Sequence, residues 1–112
     1  MPATAVIDAF RALGDPTRLA VVERLGRDNA STTQLAEPFD MSMPSLLQHL
    51  DVLQSVGIVS SQKVGRVRTY RIVPAALDAN ADWLEHQRDQ WTRRLGQLDR
   101  YLIGITPTED ST

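Results

Sequence analysis

Between Met41 and Gly57 the chain reads MSMPSLLQHLDVLQSVG, which places Ser42, Ser45, Gln48 and His49 within eight residues. Hydroxyl, amide and imidazole groups at this spacing can do two kinds of work. They can transfer protons or act as nucleophiles, or they can hydrogen-bond to another polymer. Catalysis fits poorly. His49 and Asp51 stand about 200° apart around a helix and cannot form a dyad. There is no glycine-rich phosphate loop, no paired carboxylates in a candidate pocket and no nucleophile beside a base. Metal binding fits no better. The chain has no cysteine and two histidines, and these fall in different elements, with only Glu85 and Asp89 near His86. No catalytic residue, no metal ligand and no cofactor is expected.

Recognition fits the same residues. At about 100° per residue, Leu46, Leu50 and Leu53 form one apolar stripe with His49 at its margin. Pro44, Gln48, Asp51 and Ser55 lie opposite, with Ser45 close by. That outer face is small and polar, so base edges can approach it. Glutamine can pair bidentately with adenine, and serine can serve base or phosphate. Leu47 sits on the flank. There it is read first as completing the packing and second as a contact to a thymine methyl. His49 is read first as a packed, hydrogen-bonded histidine and second as a phosphate contact.

Charge points the same way. The net charge over 112 residues is −2. Within residues 42–72, however, Lys63, Arg66, Arg68 and Arg71 face only Asp51, while the stretches on either side are net acidic. Positive field is concentrated in one segment. Lys63, Arg66 and Arg68 surround a glycine turn, where they can meet backbone phosphates or a minor groove. Cations on a hairpin edge also guard against strand-to-strand association.

The elements that must position these groups follow from periodicity and punctuation. A first helix runs from Thr4 to about Leu13 and ends at Gly14. Asp15 caps a second, with Pro16 in its first turn. Ser31 or Thr32 caps a short third helix, about Thr33 to Phe39. Ser42 caps the fourth, which ends at Gly57. Ile58–Lys63 and Val67–Ile72 read as strands around Val64-Gly65-Arg66, and Pro74 stops the second. From Ala75 to about Ile103 one long helix follows. The expected fold is mostly helical with one small β-hairpin: four helices, hairpin, long helix. The reading gives one domain, with a helix-turn-helix over 31–57, a wing over 58–72, a dimerisation helix over 75–103 and a frayed polar tail over 104–112.

The long helix carries Leu77, Ala81, Leu84, Arg88, Trp91, Leu95, Leu98 and Leu102 at alternating spacings of four and three, a heptad seam interrupted only by Arg88. Trp83 adds a second apolar direction, toward the wing or the first helix. The seam exceeds what a small helical body covers. A homodimer is therefore expected through Leu84, Trp91, Leu95, Leu98 and Leu102, assisted by Ile7 and Phe10. Twofold symmetry would set two fourth helices roughly 34 Å apart, one DNA turn. No apolar run approaches the roughly 18 residues of a membrane span, and no signal peptide is read, so a cytoplasmic protein is expected.

ALGDPTRLAVVERL in residues 12–25, QHLDVLQSVGIV in 48–59 and VGRVRTYRI in 64–72 together resemble the ArsR-type winged helix-turn-helix regulators. Pro44, Trp83 and Trp91 are similar to a subgroup with an early proline in the recognition helix and tryptophans in the last. The resemblance implies a cytoplasmic homodimeric transcription factor, usually a repressor of its own or a neighbouring operon, on a pseudo-palindromic double-stranded operator. The candidate DNA contacts are Ser42, Met43, Pro44, Ser45, Leu47, Gln48, His49, Lys63, Arg66 and Arg68. Metal-sensing members place cysteines in the third helix, and residues 30–36 have none, so no metal sensor of the usual types is expected. A small-molecule effector between the long helices is left open. The alternative reading is a dimeric adaptor that uses the fourth-helix face on protein.

Overall fold

A computed structural model describes residues 3–105. Its elements are α1 (Ala3–Leu13), α2 (Pro16–Leu25), β1 (Ala30–Ser31), α3 (Thr32–Ala36), α4 (Met43–Ser55), β2 (Val59–Val64), β3 (Val67–Ile72) and α5 (Pro74–Ile105). The order is that of a winged helix-turn-helix.

Local chemistry sets most boundaries. Asp15 caps α2 by accepting from the Arg18 backbone N–H at 3.0 Å. Ser31 and Gln34 form a reciprocal capping box at the start of α3. Ser42 caps α4 by accepting from Ser45 N–H at 3.3 Å. The helix ends where Gly57, at φ 83°, lets Ile58 N–H bond Leu53 C=O and Gly57 N–H bond Gln54 C=O. This is a Schellman closure, and its hydrophobic partners Leu53 and Ile58 are both fully buried.

The largest differences from expectation are one helix end and one added strand, while the other ends shift by one or two residues. The third helix stops at Ala36, not Phe39. Pro38 has no N–H to offer the Gln34 carbonyl, and Phe39 packs on the core from the following turn instead. A two-residue strand, β1, was not anticipated, being too short to show alternation. It adds to β3 with Ala30 opposite Tyr70 and Ser31 opposite Thr69, so the sheet order is β1-β3-β2. The hairpin itself closes with Val64 opposite Val67. Gly65 takes the first turn position at φ 63°, as primed two-residue turns require.

The chain divides into two compact units, one ending at Asn80 and one beginning at Ala81. In the first, Leu46, Leu50 and Leu53 are fully buried with Val21, Leu35, Ile58 and Val59, and Tyr70 is buried beside them. Each such leucine contributes about 2 kcal/mol of apolar burial, which is what holds α4 in place. Pro74 ends the hairpin by starting α5, and Ala76 and Leu77 pack on this core. Beyond Ala81, α5 stays helical to Ile105. There Arg88 pairs with Glu85 at 2.8 Å, and the Arg94 guanidinium lies 5.1 Å over the Trp91 ring. Trp83 is 43% exposed. The polar tail, 106–112, lies outside the described residues.

Candidate nucleic-acid interface

The buried leucine stripe orients α4 so that its other face meets solvent. Ser42, Met43, Pro44, Ser45, Leu47 and Gln48 are all exposed. Leu47, expected first as packing, is 38% exposed. Leu46, Leu50 and Leu53 already fill the core side, and Leu47 lies about 100° round the helix from Leu46. It borders two clefts between α4 and the sheet. One is also lined by Asp51, Gln54, Arg68 and Tyr70, the other by Met43, Lys63, Arg66 and Val67.

His49, one turn along the helix from Ser45, is half-buried and turns toward the start of α2. Its Nδ1 lies 3.2 Å from Arg18 Nη1 and 3.6 Å from Asp15 Oδ2. Guanidinium only donates, so Nδ1 accepts and the ring carries its proton on Nε2. Arg18 also donates through Nε to the Ala12 carbonyl at 2.6 Å and through Nη2 to that of Arg11. The Arg18 side chain thus caps the last turn of α1 and holds α4, while its backbone N–H bonds the Asp15 cap of α2. The Arg18 backbone N–H keeps the Asp15 carboxyl below the usual range, and the charge of Arg18 adds to this. The packed, hydrogen-bonded reading of His49 is the one the geometry matches.

On the wing, Lys63 and Arg66 are exposed. Arg68 is exposed too, but its Nη1 donates to Ser61 Oγ at 2.8 Å, and that hydroxyl donates to Gln54 Oε1 at 3.0 Å. Arg68, Ser61 and Gln54 therefore latch the wing to α4. The sequence reading missed Ser61 and Gln54. Alternation offered a signal, because Arg68 shares a sheet face with Tyr70, the one turned inward. Tyr70 is 2% exposed. Burial pushes its phenol above the ordinary value, while Arg68 and a hydrogen bond from Thr32 pull it down and Asp51 pushes it up.

Among the expected dimer residues, Leu84, Trp91, Leu95, Leu98 and Leu102 are 45–58% exposed on α5, and Ile7 is 53% exposed on α1. Phe10 is half-buried. No helix among the described residues is long and apolar enough to cross a membrane.

Comparison with known proteins agrees with this architecture. A helix-turn-helix domain family matches residues 13–62. The HTH-type transcriptional regulator Rv2034 of Mycobacterium tuberculosis is 37% identical over 87 residues, 78% of each chain. The transcriptional repressor SdpR of Bacillus subtilis is 27% identical over 77 residues, 69% of this chain and 86% of that one. A crystal structure of an ArsR family transcriptional regulator, RHA00566, superposes with a TM-score of 0.78 at 39% identity, covering 82% of this chain and 95% of that one. The chain belongs to the ArsR-type winged helix-turn-helix family of DNA-binding transcriptional regulators.

Proposed function

We propose that this regulator is a homodimeric repressor of its own or a neighbouring operon. In this reading, residues 31–57 place α4 in the major groove, residues 58–72 bring the wing cations to phosphates, and residues 75–103 join two copies. The observation that carries it is the pairing of a solvent-facing, small and polar α4 surface with a wing that holds Lys63, Arg66 and Arg68 beside it. Ser45 and Gln48 read bases, and Lys63 and Arg66 set register on the backbone. Arg68 and Gln54 fix the angle between the two reading elements. His49 positions α4 through Arg18. The half-exposed heptad seam of α5 supports the dimer, and the relative named as a transcriptional repressor supports the sign of regulation. Residues 30–36 carry no thiol, which supports a switch other than the family's cysteine-metal type.

The test begins with selection of bound duplexes from a random pool at about physiological salt, where non-specific binding is weak. A twofold-symmetric motif is expected. Gln48→Ala should then reduce the preference for that motif over a scrambled duplex by about tenfold or more, the worth of one bidentate base contact. Its circular dichroism and oligomeric state should be unchanged. Unchanged preference would sink the α4 assignment. No enriched duplex from a folded protein would favour an adaptor that docks on protein.

A further inference from the structure

Met43 and Leu47 are large apolar side chains on the face of α4 that is otherwise small and polar, and they are 41% and 38% exposed. They stand four residues apart, so they neighbour each other along one helical ridge. Both line a cleft of about 400 Å³ whose other wall holds Val67, itself 54% exposed, with Lys63, Arg66 and the Ser31 hydroxyl among its lining groups. The cleft thus brings apolar and cationic lining groups together. Within residues 42–72 only Asp51 opposes the four cations, so charge complementarity selects a polyanion as its occupant. The apolar group that a polyanionic duplex presents in its major groove is the C5-methyl of thymine.

We propose that Met43 and Leu47 form a thymine-methyl reader, the apolar half of the recognition surface whose polar half is Gln48 and Ser45. This rests on α4 being the reading helix. A spacing of four residues, about 6 Å at about 1.5 Å per residue, against a rise of about 3.4 Å per base step fits methyls on adjacent thymines or on thymines two steps apart. Each half-site therefore contains such a thymine pair. Gln48 then takes an adenine beside it, which makes the core of the half-site A·T-rich. Lys63 and Arg66 sit where the flanking phosphates would run.

Duplexes selected from a random pool provide the test. Replacing thymine by uracil, one position at a time, removes a methyl and leaves every hydrogen-bonding group. Two positions in each half-site are expected to lose about three- to fivefold in affinity, the worth of one buried methyl. In Leu47→Ala one of those two positions should become indifferent to the methyl, and in Met43→Ala the other. Both variants change exposed side chains, and their circular dichroism should match the wild type. Specific binding with no uracil-sensitive position overturns the proposal and leaves DNA recognition standing. Uracil sensitivity that persists unchanged in both variants also overturns it, since the methyls would then be read elsewhere. An enriched motif without thymine does the same. A pool with no enrichment at all overturns the reading-helix assignment and this proposal with it.

Discussion

The guanidinium of Arg18 lies 3.2 Å from the Nδ1 of His49, joining residues 31 positions apart in the chain. Because the same guanidinium also donates to the Ala12 and Arg11 carbonyls, it ties the end of α1 to α4. Removing it takes the side-chain donor from the Ala12 carbonyl and the guanidinium from His49. Arg18→Ala is expected to lower stability by about 2 kcal/mol, the cost of several lost and partly solvated charge-assisted hydrogen bonds. Arg18→Lys should recover little, because an ammonium cannot span acceptors that the planar fork reaches together. Urea denaturation of the three proteins checks this. Full rescue by lysine would show that charge alone, not the fork, holds the junction.

Tyr70 makes stability depend on alkaline pH. Its phenol is buried and its pKa is raised above 10.0, burial being the largest cause. A raised pKa means that the fold favours the neutral, protonated form. The contribution is therefore complete below the unfolded pKa of about 10 and is lost as pH rises through the higher folded value. The urea midpoint should fall as pH rises above about 10. Tyr70→Phe, which cannot ionise, should flatten that part of the profile. Matching alkaline slopes in the two proteins would show that another group is responsible.

What could be read in the sequence is what local chemistry encodes. Asp15, Ser42 and Gly57 announced helix ends because capping and left-handed closure act within a few residues. The leucine stripe of α4 was legible because burial has the helical period. The pairing of Ala30 with Tyr70 was not, since a two-residue strand shows no alternation. Arg18 and His49 meet only after α1, α2 and α4 have packed, so no spacing rule links them. Leu47 was ambiguous for a geometric reason: a flank position about 100° from the stripe is buried or exposed according to what lies beside it, and here it borders open clefts.

Arg66 occupies the turn of the wing, exposed beside Gly65, and no base-reading geometry attaches to it. A phosphate contact there adds affinity without sequence preference. Arg66→Ala should weaken binding to selected and scrambled duplexes by similar factors. With one copy in each of two protomers, the slope of log affinity against log salt should become shallower by about 2. Anisotropy titrations at several salt concentrations read both quantities. A loss confined to the selected duplex would instead make Arg66 a base reader.

Leu98 tests the assembly. In the single chain it is 50% exposed, on the same seam as Trp91, Leu95 and Leu102. Solvent tolerates a glutamate at such a position, whereas a dimer seam would have to bury two of them, one from each copy. Burying unpaired carboxylates costs several kcal/mol, which is enough to move a micromolar or tighter dimer to monomer. Leu98→Glu should therefore sediment as a monomer of unchanged helicity. Its affinity for a two-half-site operator should fall toward that for a single half-site. The contrast with Arg66→Ala separates the two roles, since the wing variant should keep the oligomeric state of the parent protein. If Leu98→Glu remained dimeric and bound the full operator normally, α5 would not be the joining surface. The exposed Ile7 on α1 would then be the next face to test.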